Sequence, residues 1–286
     1  MPRAGFATKA EDPSALSRRA FVRAGLAALA APALPACLGL PPQPQQVSPR
    51  LSARPGTPTA TPTPGLSHLG LGTDRDGLLY VPQGYSSDTP MPLFIGLHGN
   101  GQSSAYWASY PDRAESRGMV FLAPDSRGQT WDAAEGVFGA DVGFMNRALN
   151  YTFERCRIDP ARIALGGFSD GATCALSLGL ANGDLFTHLV AYSPGFILRA
   201  DAFVGWPQIF VSHGTLDPVI PVGNSRDRIV PYLQGAGYSV VYKEFEGGHA
   251  VPSEISDTAL DWFFGKDVTQ PPQSAPASSA GRRPRP

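Results

Sequence analysis

From about Leu66 to Lys266 short apolar runs alternate with longer stretches of helical period. Leu78–Val81, Leu93–Leu97, Val120–Ala123, Ile163–Gly167, His188–Tyr192, Gln208–Ser212 and Ser239–Phe245 read as strands. Ser104–Arg117 reads as a helix with Tyr106, Trp107, Tyr110 and Ala114 on one face. Asp141–Cys156 carries Val142, Met145, Leu149, Tyr151 and Phe153 along one side, and Ala172–Leu180 and Arg226–Gln234 read as further helices. Val251, Ile255, Ala259, Trp262 and Phe263 form a last helical stripe. Strands separated by helices require an α/β fold, a mostly parallel sheet covered by helices on both faces. The run holds about two hundred residues, enough for one core. It contains no insertion long enough for a large cap domain.

The ends of the 286-residue chain have a different character. Prolines crowd the first ninety residues and the last sixteen. In residues 1–37, Arg18-Arg19 precede the uncharged run Ala24–Leu34, the pattern of a twin-arginine export signal. That run is shorter than the ~20 apolar residues of a bilayer span; the competing reading is an amphipathic or core helix. Leu34-Pro35-Ala36-Cys37 resembles a lipobox, with Cys37 lipidated, although Pro35 departs from the usual small residue. The alternative is ordinary cleavage after Ala36 and release of the domain. Residues 38–66, rich in Pro, Thr and Gln, are expected to pack poorly and act as a tether. Residues 67–266 then form the main folded domain, and 267–286 a disordered tail.

A formal net charge of −1 lacks the basic footprint of a nucleic-acid binder. No Cys/His spacing suggests a metal, and no cofactor is implied. Past Cys37 only Cys156 and Cys174 remain, which permits one disulfide or two buried thiols.

Gly167-Phe168-Ser169-Asp170-Gly171 fits G-x-S-x-G, in which a serine stands on a sharp strand-to-helix turn. Ser169 and Asp170 are also good helix N-caps, so the same residues read equally as a capped turn. A serine hydroxyl is a weak nucleophile and needs a base, and the base needs an acid to orient it. The required chain order is Ser, acid, His. Asp217, in a loop past an apolar strand, fits the acid; its plainer reading is a turn aspartate before Pro218. His249, in Glu246-Gly247-Gly248-His249, alone among five histidines follows both, where it is otherwise an exposed loop residue. The oxyanion needs backbone donors, assigned to the amides of Asn100 and Asp170. His98, His213, His68 and His188 read as structural. Trp131, Phe138 and Phe144, in the aromatic segment Gln129–Phe144, either wall a substrate pocket or pack beneath the loop.

The segments LHGNGQ, GGFSDG, HGTLDPVIP and GGHAVP together resemble the α/β-hydrolase superfamily. More narrowly they resemble the phospholipase/carboxylesterase group and the related polyhydroxybutyrate-depolymerase-like and feruloyl-esterase-like esterases. The resemblance implies ester hydrolysis through an acyl-enzyme: Ser169 attacks, His249 carries the proton, Asp217 orients it. A small or oligomeric ester is the partner implied. A serine peptidase of the same fold shares every one of these residues, and a non-catalytic binding protein is a third reading that an intact triad disfavours. Asp170 is the oddity, since a carboxylate aimed at an oxyanion opposes catalysis. Its side chain is therefore expected to turn away, toward an arginine.

Overall fold

The computed structural model describes residues 47–268. The export-signal and lipobox readings on 1–37, Cys37 included, lie outside the described residues, as does the tail from 269 onward.

Eight strands form one sheet in the order β1-β2-β4-β3-β5-β6-β7-β8. They are β1 (Gly65–His68), β2 (Gly77–Val81), β3 (Met91–Leu97), β4 (Val120–Pro124), β5 (Ile158–Phe168), β6 (His188–Tyr192), β7 (Gln208–Gly214) and β8 (Val240–Phe245). The pairs β1/β2 and β2/β4 are antiparallel, and every other pair is parallel. Period-two alternation divides the strand side chains between two cores. Leu93, Ile95, Leu165, Leu189 and Val211 face one layer, which holds α2 (Ala140–Arg155) and α3 (Asp170–Ala181). Phe94, Phe121, Ala164, Val190 and Phe210 face the other, with α1 (Tyr110–Arg117) and α5 (Ser253–Phe263). Both faces are thereby removed from water. Each fully buried Leu or Phe contributes roughly 1.5–3 kcal/mol of transfer free energy.

The segments differ from their sequence readings at places with a physical cause. Ser104–Arg117 is two elements, a 3₁₀ turn over Ser104–Trp107 and then α1, because Pro111 fits only a first helical turn. The helix read at 226–234 begins earlier, as a π-helical stretch Asn224–Ile229 running into α4 (Val230–Gly235). Cys156 and Cys174 are both buried free thiols, and burial pushes Cys156 up to about 12 and Cys174 well above the ordinary thiol range.

The larger correction concerns the tether. Residues 47–64 are bound along the domain, and β1 joins the sheet. Leu51 and Ala53 are buried. Asn182 Oδ1 accepts the Leu51 amide at 2.8 Å, and Asn146 Oδ1 accepts those of Ser52 and Ala53 at 2.8 Å. Arg50 and Arg54 both pair with Asp184, whose carboxyl is lowered to about 2, chiefly by the Arg50 hydrogen bond. An extended proline-rich backbone offers few internal hydrogen bonds, and here the side-chain amides of Asn146 and Asn182 supply them while Asp184 holds the two guanidiniums.

Candidate active site

Ser169 joins β5 to α3 with φ 56° and ψ −119°. Such a conformation in a non-glycine residue costs about 1–3 kcal/mol and persists only where its surroundings impose it. The surroundings are tight. A Cβ on Gly167 would stand 2.2 Å from the Gly171 carbonyl oxygen, and one on Gly171 would stand 2.3 Å from that of Leu97. The two glycines let strand and helix approach closely enough to pinch the serine outward. Its side chain makes no capping hydrogen bond to the helix it precedes. The hydroxyl lies instead 2.9 Å from His249 Nε2.

His249 Nδ1 lies 2.6 Å from Asp217 Oδ2. With Nδ1–H donating to the carboxylate, Nε2 is left to accept the Ser169 proton. Asp217 is itself immobilised. Its side chain is wholly buried, and Oδ1 accepts the amides of Val219 at 2.8 Å and Ile220 at 2.9 Å. Burial works to raise its pKa, but the bonds from His249 and the two amides outweigh that and hold the carboxyl below its ordinary value. Beneath lies His213, read from sequence as structural. Its Nε2 is 2.8 Å from the Ile220 carbonyl and 3.3 Å from Asp217 Oδ2, and its Nδ1 is 2.7 Å from Ser225 Oγ. Burial pushes the His213 pKa down, so it is a neutral donor beside the acid. Phe168 packs against the His249 ring at 4.7 Å.

The loop after β3 is the second wall. The Gly99 amide donates to Gln102 Oε1 (2.9 Å), that of Gly101 to Gln129 O (3.0 Å), and that of Gln102 to Gly99 O (3.3 Å). Among the described residues the Asn100 amide has no acceptor, and neither does that of Asp170 at the start of α3. His98 is bound into the loop, with Nδ1 2.8 Å from Gly99 O and Nε2 3.1 Å from the Ser126 amide and from Arg75 Nη2. Burial lowers its pKa, consistent with a neutral ring that accepts at Nε2.

The Asp170 carboxylate has partners, but none is an arginine. Oδ2 accepts from Thr130 Oγ1 at 2.6 Å and from Asn100 Nδ2 at 3.0 Å. It therefore ties the Asn100 loop and the Thr130 loop to the start of α3. Thr130 carries no sequence signal for this role, because the contact spans forty positions of chain.

The aromatic segment resolves as packing. Trp131, Phe138 and Phe144 are each 1–2% exposed and belong to the core. Trp131 Nε1 donates to His98 O at 2.8 Å and so braces the Asn100 loop from below. Phe144 lies under the Arg127 guanidinium. The aromatics of this loop are held by burial.

The fold has counterparts among solved structures. Fluorophosphonate-binding serine hydrolase F of Staphylococcus aureus superposes with a TM-score of 0.56 at 15% identity, covering 70% of this chain and 99% of that one. The fold is that of the α/β-hydrolases. Within that fold, residues 140–261 match the phospholipase/carboxylesterase family, a span that takes in Ser169, Asp217 and His249 but not the Asn100 loop. Among curated relatives, a probable feruloyl esterase C of Aspergillus terreus is 27% identical over 172 residues, 57% of this chain and 62% of the relative. Acyl-protein thioesterase 1 of Gibberella zeae is 32% identical over 128 residues, 41% and 52% of the two chains. The matches thus span about half to three-fifths of the relatives' length.

Proposed function

We propose that the chain is an exported serine hydrolase that cleaves carboxylic esters through an acyl-enzyme. Ser169 Oγ attacks the ester carbonyl while His249 Nε2 takes its proton. The imidazolium so formed is stabilised by Asp217, and the oxyanion is held by the amides of Asn100 and Asp170. His249 then returns the proton to the departing alcohol, and a water activated by the same ring releases the acid.

The observation that supports the reading most is the unbroken relay Ser169–His249–Asp217 at 2.9 and 2.6 Å, on a backbone strained to present the serine. The feruloyl esterases among the relatives suggest aromatic carboxylic esters as one substrate class. Nitrophenyl esters of increasing acyl length, tested beside feruloyl esters, check the assignment. Turnover is expected in the wild type and absent with Ser169→Ala; equal turnover in both removes Ser169 as the nucleophile. Export and tethering rest on Arg18-Arg19 and Cys37. Cys37→Ala is expected to shift the protein from the membrane to the soluble fraction of the producing cell, and an unchanged distribution rejects the lipid anchor.

A further inference from the structure

Of the seven large apolar side chains left in water among the described residues, four stand in segments that follow β6 and β7, while Trp206, the most exposed, precedes β7. Phe196 follows β6, Leu216 and Val219 flank Asp217 after β7, and Tyr232 lies on α4; each is between 42% and 66% exposed. Phe196, Leu216 and Val219 lie in loops that follow parallel strands at the carboxyl edge of the sheet, the edge that carries Ser169, and Tyr232 lies on the helix after β7. Between Phe196 and Tyr232 opens a cavity of about 370 Å³ with a mainly apolar lining. Its volume falls within the roughly 300–1,000 Å³ of small-molecule sites.

Two larger hollows, of about 540 and 510 Å³, sit among the polar loops 70–75 and 58–62. Ser169, His249 and Asp217 line none of the three. The apolar cavity has walls bonded to the elements that carry the triad. The Gly195 amide donates to Thr173 Oγ1, in the first turns of α3, at 3.1 Å. Asn224 Nδ2 donates to the Gly195 carbonyl at 3.3 Å. Ile220, whose amide holds Asp217, stands 3.8 Å from where a Gly195 side chain would begin.

The charge of this cavity is one-sided. Arg199 and Arg228 line it, and no acidic residue does. The neighbouring Arg226 is paired with Glu244 at 2.6 Å, whereas Arg199 and Arg228 have no carboxylate partner among the described residues. A guanidinium matches a carboxylate by a planar pair of hydrogen bonds, and it is less costly to desolvate than an ammonium.

We infer that the cavity lined by Phe196, Tyr232, Arg199 and Arg228 is a substrate subsite for an aromatic or aliphatic group that ends in a carboxylate. The inference rests on the hydrolase reading of Ser169 and narrows its substrates to esters with an apolar body and a free acid group. Phe196 and Tyr232 take the body; the two guanidiniums take the acid.

The test uses 4-phenylbutyrate and its neutral amide, 4-phenylbutyramide, titrated calorimetrically into the full-length Ser169→Ala protein, which reads binding without chemistry. The anion is expected to bind about tenfold more tightly, a preference within reach of charge-assisted bonds. Arg199→Gln with Arg228→Gln should bring the ratio near one, with both side chains exposed and the fold intact by circular dichroism. Phe196→Ala should weaken both ligands alike. Equal binding by the starting protein, or a ratio that survives the double substitution, overturns the subsite. Against the active enzyme, phenylbutyrate should inhibit ester turnover competitively; inhibition that leaves KM unchanged places the anion elsewhere. Absence of any turnover by the wild type would instead strike the hydrolase reading, and the calorimetric result would still stand.

Discussion

The two walls beside Ser169 are built on one plan with different materials. On the acid wall, Asp217 accepts two backbone amides and His249, with neutral His213 packed beneath. On the wall proposed to hold the oxyanion, Asp170 accepts two side-chain donors, Thr130 and Asn100, with neutral His98 packed beneath. Asp217 is bonded to His249; in the proposed reaction its charge stays fixed and stabilises the imidazolium that forms there. Asp170 is bonded to groups that only hold shape. One carboxylate acts on the reacting centre and the other on the geometry of the donors around it. The same chemical group is electrostatic machinery in one wall and a fastener in the other.

The comparison breaks most easily at Asp217. Asp217→Asn should lower kcat about 10⁴-fold, because an amide favours the wrong His249 tautomer. A loss no larger than that of the Asp170 variants would make the walls equivalent. Next comes Asp170→Ala, expected to cost about 10- to 100-fold in kcat with KM nearly unchanged, since small displacements of catalytic donors carry penalties of that order. Asp170→Asn keeps an acceptor oxygen and should stay within about tenfold of wild type. A gain in turnover from that variant would mean that the carboxylate faces the oxyanion. Thr130→Val removes one donor to Asp170 and should destabilise the fold by about 1–2 kcal/mol, with kcat reduced a few-fold; thermal unfolding and steady-state kinetics read the two effects separately.

The smallest effect is in pH. Burial depresses the folded-state pKa of both His98 and His213. An unfolded histidine takes up a proton near pH 6.5, so the unfolded chain binds more protons below that value and stability falls with acid. Above about pH 6.5 both rings are neutral in either state and contribute no slope. His98→Gln and His213→Gln should each flatten the acid limb by about one proton in urea titrations. An unaltered limb would mean that the rings are charged in the fold.

Some of this was legible in sequence and some was not, for reasons that differ by residue. Ser169, Asp217 and His249 could be proposed because each follows a strand, and topology brings strand ends to one edge. Their strands were legible because apolar runs of five residues, such as His188–Tyr192, are buried on both faces. The Thr130–Asp170 bond left no trace, because two residues forty positions apart were joined by folding alone. Trp131, Phe138 and Phe144 drew attention as aromatics in a loop, but their burial depended on helices above them. Residues 47–64 misled through their prolines. Composition describes what a segment cannot do by itself, and here Asn146, Asn182 and Asp184 do it for the segment. Phe196 and Tyr232 gave no periodic signal, because exposure at the sheet edge follows from tertiary structure.

Fluorophosphonate labelling followed by peptide mass analysis tests the central claim most directly. Ser169 in the folded protein should take one phosphonyl group, with labelling lost in urea-unfolded protein and strongly slowed by Asp217→Asn. A folded protein left unlabelled at Ser169, or labelled equally fast with Asp217→Asn, would contradict a serine activated through His249 and Asp217.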